Sequence, residues 1–169
     1  MQLLKTINPE EVNEDNIPGW KYREAARAVV FDPENRVGLL HVTKDHYYKL
    51  PGGGVEEGED IKIALDRECE EELGVQVEVL KEIGIIIEYR ARFQLHQTSY
   101  CFLVKTSSAK SAPNFTDEEN HRGFETVWVE PNEASRLLNL KETSDYEGRF
   151  IEARDFCFLN KALEAAGVR

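Results

Sequence analysis

Residues 53–75 read GGVEEGEDIKIALDRECEEELGV, and this stretch carries most of the information about the fold. Apolar residues recur every four positions along it, at Ile61, Leu65, Cys69 and Leu73. This spacing predicts a helix over residues 60–73 with one core-facing side, which ends at Gly74. The glycines at positions 52–54 break regular structure just before it and let the backbone approach its neighbours closely.

Three glutamates lie on or beside the apolar side of this predicted helix. Glu68 and Glu72 fall within or next to the apolar stripe, and Glu71 is adjacent. Buried unpaired charges are costly and like charges one turn apart repel, so the cluster needs a positive partner. The neighbouring basic residues, Lys62 and Arg67, are expected to point away from it. A divalent cation, which takes oxygen ligands, is therefore favoured over a structural cluster of salt bridges.

The spacing of the fixed residues resembles that of a known family. Gly53 is followed by five residues and Glu59, then by seven residues and Arg67-Glu68-Cys69-Glu70-Glu71-Glu72-Leu73-Gly74-Val75. This pattern resembles the Nudix box, Gly-x5-Glu-x7-Arg-Glu-U-x-Glu-Glu-x-Gly-U, where U is a bulky aliphatic residue. Every fixed charged and glycine position matches. Cys69 replaces the first U, and we expect it to serve there as a small hydrophobe.

The resemblance implies a fold and a set of site residues. The fold would be of the α/β (α+β) class, an α/β/α sandwich around a mixed β-sheet. Mg²⁺ or Mn²⁺ would be the cofactor, and its ligands would be Glu68, Glu71, Glu72 and the Gly52 carbonyl. The catalytic set would comprise Glu68, Arg67, Glu71 and Glu59, with Glu59 and Arg67 joining the loop to the helix and orienting Glu68. The general base would be Glu68 or a loop glutamate, either Glu118 or Glu119.

The reaction implied by the family is hydrolysis of a pyrophosphate bond in a nucleoside diphosphate linked to another moiety. A second reading keeps the fold as a catalytically silent nucleotide-binding or regulatory module. The intact box favours the hydrolase. A third option, a metal-dependent isomerase of isopentenyl diphosphate, needs a catalytic Cys and Glu in contexts that this sequence lacks.

Length and composition limit the domain organisation, the substrate class and the cellular location that we expect. The length of 169 residues suits one domain over residues 1–169, with an irregular arm at 1–20 and a terminal helix at 147–166. The net charge of −11 argues against a nucleic-acid polymer and leaves a small nucleotide-type substrate. No apolar run is long enough to span a membrane or to act as a signal peptide, so we expect a cytoplasmic location. The three cysteines are too far apart for a cysteine zinc site, and the oligomeric state stays open.

Elsewhere in the chain, the sequence predicts six strands, a long loop, a short helix and candidate substrate contacts. The predicted strands cover residues 23–31, 37–43, 47–50, 75–89 with a bulge at Gly84, 94–105 and 124–129. A long polar loop is expected at 106–123, and a short helix at 131–138. Candidates to stack on a base, or simply to pack, are Trp20, Tyr22, Tyr47 and Phe115. Arg27 and Arg90 are candidates for phosphate contacts, although isolated strand arginines are more often ion-paired.

Overall fold

Most of the strands and helices form where the sequence predicts them. The structure is a computed structural model that describes residues 1–168, so the last residue of the predicted 1–169 domain lies outside the described part. The strands within it are β1 (Leu3–Ile7), β2 (Lys21–Phe31), β3 (Val37–Val42), β4 (Tyr47–Lys49), β5 (Val77–Arg90), β6 (Leu95–Thr106) and β7 (Phe124–Val129). The helices are α1 (Ile61–Leu73), α2 (Asp117–Arg122), α3 (Pro131–Leu137) and α4 (Tyr146–Ala166).

The strands form one mixed sheet in the order β1-β5-β6-β2-β3-β4, with β7 paired to β3. β2 runs parallel to β6 along its whole length, while β5 and β6 form a long antiparallel pair. The register of β5 shifts at Gly84, where a bulge was predicted. The mixed sheet and its flanking helices confirm the predicted α/β/α sandwich.

β2 shows why helices cover both faces of the sheet. Val29 packs into the apolar core beneath α3 and α4. Its neighbours Ala28 and Val30 face the opposite way and pack against α1. A strand that is buried on both faces has apolar residues at nearly every position, and residues 25–30 of β2 nearly fit this pattern. Arg27 interrupts this run with a buried charged side chain.

Two predicted segments were wrong. The arm at residues 1–20 contains β1, which pairs in parallel with β5 and gains its hydrogen bonds from a distant strand. The loop at 106–123 contains α2, whose start carries a capping box between Thr116 and Glu119 and whose end is Gly123. No helix in the described part of the chain is both long and apolar enough to cross a bilayer.

Candidate functional site

The glycine-rich loop lies against the middle of β2. The amide of Ala28 donates to the Pro51 carbonyl at 3.1 Å, and the amide of Ala26 donates to the Gly53 carbonyl at 3.0 Å. Gly52 has a φ of +134°, and a Cβ there would collide with the Ala26 carbonyl oxygen. Only glycine permits this close approach, which places the loop between β2 and α1.

Helix α1 presents its glutamates to this loop. Asp60 caps the helix by accepting hydrogen bonds from the amides of the next turn, and Gly74 ends it in the left-handed conformation. As predicted, Glu68 and Glu72 are buried on the inward side, with exposures of 9% and 1%. The side chain of Glu71 is 42% exposed. The helix therefore holds two carboxylates in the protein interior.

Glu72 has a basic partner that the sequence did not predict. The Lys49 ammonium donates to Glu72 Oε1 at 2.6 Å, and the Gly52 amide donates to Oε2 at 2.6 Å. Lys49 also donates to the Gly52 carbonyl at 3.4 Å. Burial raises the pKa of Glu72 to about 7, and nearby Glu68 adds to this, although Lys49 opposes it. The expectation that the glutamates lack a basic partner was wrong.

Arg67 contacts the other two glutamates, although it was expected to point away. Its Nη1 donates to Glu68 Oε1 at 2.8 Å and to Glu71 Oε2 at 3.2 Å. Its Nε donates to Glu59 at 2.8 Å, and its Nη2 donates to the Gly54 carbonyl at 3.0 Å. A helical wheel gives the direction of Cβ, whereas this long side chain curls back around the helix. The hydrogen bond to Glu59 is the largest cause of a raised Arg67 pKa.

The donor groups suit a hard divalent cation in their chemistry. Glu72 and the Gly52 carbonyl already converge on one positive charge, the Lys49 ammonium. A Cβ at Gly53 would occupy the space of the Glu68 carboxylate, so the loop is shaped around that group. In this arrangement the carboxylates turn toward Lys49 and Arg67, and no three His, Cys, Asp or Glu side chains among residues 1–168 converge as a metal-binding group. Binding a metal ion would require them to exchange these basic partners for it.

A cleft of about 340 Å³ opens over these groups. Both loop candidates for the general base reach it from α2. The carboxylate of Glu119 is engaged in the cap of α2, where it accepts from the amide and hydroxyl of Thr116. Glu118 is exposed, and its carboxylate makes no hydrogen bond within the described residues. Other lining residues that the sequence did not single out are Arg23, Lys49, Arg122, Phe124, Glu147 and Ile151.

Of the four aromatic residues predicted as candidates to stack on a base, Tyr47 is the one that lines the cleft. Tyr47 lines the cleft but is fully buried, and its hydroxyl accepts from Arg122. Phe115 packs edge-on against Phe124, while Trp20 and Tyr22 do not line the cleft. These residues were singled out in the sequence only because they are aromatic, and an aromatic side chain can pack in the core as well as stack on a base.

Cys69 is fully buried, and burial raises the pKa of its thiol, as suits a core residue.

Known proteins resemble this chain in sequence and in fold. An RNA pyrophosphohydrolase of Dinoroseobacter shibae is 38% identical over 80 residues, which are 44% of this chain and 50% of that protein. One from Bartonella quintana is 27% identical over 71% of this chain and 81% of its own length. The chain thus spans about half the length of the first of these relatives. The crystal structure of an ADP-ribose pyrophosphatase from Streptococcus suis superposes with a TM-score of 0.57 at 18% identity, covering 85% of this chain and 91% of that one.

The family itself follows from a longer match. The model of the NUDIX domain matches residues 21–152, which include the sheet from β2 onward, the glycine-rich loop and α1. This segment is well over half of the chain and contains every residue of the site described above. The chain belongs to the NUDIX domain family.

Proposed function

We propose that this protein is a pyrophosphohydrolase that depends on Mg²⁺ or Mn²⁺. The observation that carries the proposal is Glu72, a carboxylate with 1% exposure that accepts a hydrogen bond from the Gly52 amide on the inner side of α1. A purely structural helix would place an apolar residue there. The NUDIX match and the names of the two sequence relatives support the same reaction class.

The proposed ligands are Glu68, Glu71, Glu72 and the carbonyl of Gly52. When bound there, the cation would neutralise phosphate oxygens and lower the pKa of a water molecule. The protein's part is to hold the carboxylates before the cleft and to supply a base. Glu68 is one candidate for that base.

The second candidate for the base is on α2. Glu118 and Glu119 both line the cleft, but Glu119 is already bonded to Thr116. Glu118 is free of such bonds among residues 1–168 and is therefore the stronger loop candidate. Comparing the pH dependence of turnover in Glu68→Gln and Glu118→Gln would identify the base, because its loss removes the acidic limb of the profile.

The proposed substrate is a small nucleoside diphosphate linked to another moiety. The two sequence relatives are named RNA pyrophosphohydrolases, which makes a 5′-triphosphorylated RNA end a second candidate. The net charge of −11 disfavours contacts along an RNA backbone, because polyanions need basic surface for affinity. We therefore place small nucleotides first.

A substrate screen tests the proposal. Purified protein would be incubated with nucleoside triphosphates, ADP-ribose, dinucleoside polyphosphates and a short 5′-triphosphorylated RNA, each with Mg²⁺ and with Mn²⁺. Pyrophosphate would be measured for the triphosphates, and for ADP-ribose and the dinucleoside polyphosphates the phosphate that alkaline phosphatase releases from their hydrolysis products would be measured. We expect turnover of at least one small nucleotide. If every substrate binds yet none is cleaved, the protein is instead a silent nucleotide-binding module.

Arg67→Ala should lower turnover about 10- to 100-fold and leave the fold intact. The side chain orients Glu68 and Glu71 and ties them to Glu59, and losing such supporting contacts to metal ligands typically costs that much. Turnover and far-UV circular dichroism would be measured together. Arg136→Ala, which removes an exposed arginine on α3, is the matched control and should be neutral. An unchanged rate in Arg67→Ala would show that its ion pairs serve only the surface of the helix.

A further inference from the structure

Strand β2 brings two arginines to the wall of the cleft. Arg23 and Arg27 are four residues apart, so their side chains lie on the same face of the strand. Both line the cleft beside the glycine-rich loop. A Cβ on Gly54 would lie 2.8 Å from Arg23 Nε, and one on Gly52 would lie 2.9 Å from the Arg27 Cα. The two arginines therefore stand directly beside the proposed ligand loop.

Arg27 is buried without a countercharge. It is 4% exposed, and no carboxylate within residues 1–168 lies within the 4.0 Å salt-bridge distance. Its Nη1 donates to the carbonyl of the preceding residue, Ala26, at 3.1 Å, and its Nε has no partner. Most of the hydrogen-bonding capacity of this guanidinium is thus unused in the protein.

The other buried arginines near the cleft are neutralised. Arg90 pairs with Glu88 at 2.9 Å and with Glu147 at 2.6 Å. Arg154 pairs with Asp155 at 2.7 Å and with Glu88 at 3.3 Å. Of the two arginines singled out in the sequence as candidates for phosphate contacts, Arg90 is therefore ion-paired and Arg27 is not.

Charges of both signs surround Arg27, since Arg23 and Arg154 are positive and Asp155 and Glu68 are negative. Burial is the main cause that lowers the pKa of Arg27, to about 10, and the nearby charge of Arg154 adds to it, as does Arg23, while Asp155 opposes them. The guanidinium still carries its proton at neutral pH. A buried cation that no anion pairs directly is unfavourable, although the protein as a whole carries a net charge of −11. The fold keeps this charge at the cleft rather than pairing it.

We propose that Arg27, with Arg23 beside it, binds a phosphoryl group of the substrate. This inference rests on the proposed function and deepens it. A guanidinium offers several N–H donors in a plane that matches two oxygens of one phosphate. Because Arg27 lies beside the glycine-rich loop, a phosphate bound to it would lie next to the carboxylates of α1. Arg27 is thus a substrate-binding residue, and it selects anionic phosphate chains over neutral esters.

Binding of inorganic pyrophosphate to the metal-free protein tests this proposal. Titration calorimetry in EDTA would compare wild type, Arg27→Met, Arg27→Lys and the control Arg149→Met, which removes an exposed arginine of α4 outside the cleft. We expect Arg27→Met to weaken binding roughly 10- to 100-fold, as for the loss of a charged hydrogen bond. Arg27→Lys should retain part of the affinity, and Arg149→Met should match wild type.

Thermal melts of the same proteins separate binding from a structural role. Arg27→Met should melt at the same temperature as wild type or higher, because it removes an unpaired buried charge. A lower melting temperature together with unchanged pyrophosphate affinity would overturn the proposal.

A measurement on the intact side chain covers the case in which Arg27→Met does not fold. The Nε–H signal of Arg27, assigned by its absence from the spectrum of Arg27→Lys, should shift when pyrophosphate is added. A signal that stays in place at saturating pyrophosphate would overturn the proposal. Because no step here needs hydrolysis, arginine-dependent binding without any turnover would refute the proposed function alone. Turnover whose KM is the same in Arg27→Met would refute only the arginine subsite.

Discussion

Glu72→Gln should lower turnover by about 10³-fold or more while the protein stays folded. The carboxylate is the most deeply buried of the proposed ligands and lies against the glycine-rich loop. Removing its charge weakens the cation site where phosphate charge must be neutralised, an effect of several kcal/mol. Each tenfold change in rate corresponds to about 1.4 kcal/mol in the barrier. Turnover at saturating substrate and Mg²⁺ is the measurement.

The stability of the metal-free variant makes this result specific. The sequence alone predicts that Glu72→Gln leaves stability equal or higher, because repulsion is relieved. The contacts with Lys49 and the Gly52 amide reduce this gain. The Glu72 carboxylate accepts from these two groups at different oxygens, whereas a glutamine side chain has one acceptor oxygen and an NH2 group that cannot accept. Burial of the charge is unfavourable in itself, so the two effects oppose each other. Because the buried Lys49 ammonium also loses its countercharge, we expect a melting temperature a few degrees below that of wild type.

A matched control lies two residues away on the same helix. Glu70→Gln removes a charge from the exposed side of α1 and should leave turnover and melting unchanged. If Glu72→Gln instead strongly destabilised the metal-free protein and left the rate per folded molecule unchanged, Glu72 would be only the structural partner of Lys49.

Removing divalent cations should abolish turnover, and adding Mg²⁺ or Mn²⁺ should restore it. The physical reason is that Glu68, Glu71 and Glu72 carry negative charge toward a substrate that is itself an anion. Lys49 and Arg67 offset this charge only in part, because two cations face four carboxylates, those of Glu59, Glu68, Glu71 and Glu72. Rates after dialysis against EDTA, and after readdition of each metal, are the measurement.

The same cation should also stabilise the folded protein. At a concentration one hundred times its Kd, a ligand that binds only the folded state adds about 2.7 kcal/mol to the free energy of unfolding. A Na⁺ salt at equal ionic strength serves as the control for screening of surface charge. Full turnover after exhaustive chelation would refute the metal dependence.

Much of the fold could be predicted because local patterns and tertiary structure agree. The apolar stripe of α1 and the glycine at its end specify the helix and its buried side, and Gly84 marks the bulge of β5. β1 escaped prediction because this short and mostly exposed strand depends on pairing with β5. The helix α2 was missed although its signal, a capping box followed by glycine, was present.

The site was harder to predict where partners come from distant segments. Burial of Glu68 and Glu72 followed from helical spacing, but Lys49 pairs with Glu72 across 23 positions of sequence. Arg27 and Arg90 are both isolated arginines on strands, so the sequence does not distinguish them. Only the positions of the surrounding carboxylates in the structure show that Arg90 is paired and Arg27 is not. Such differences depend on how strands and helices meet, which single-sequence patterns do not encode.

Direct titration with Mn²⁺, followed by electron paramagnetic resonance, tests the central claim that these glutamates form a cation site. Free Mn²⁺ would be measured against increasing concentrations of wild type, Glu72→Gln and Glu70→Gln, without substrate. The account predicts that wild type and Glu70→Gln bind Mn²⁺ equally and that Glu72→Gln binds it at least about tenfold more weakly. Equal Mn²⁺ binding by wild type and Glu72→Gln would contradict it.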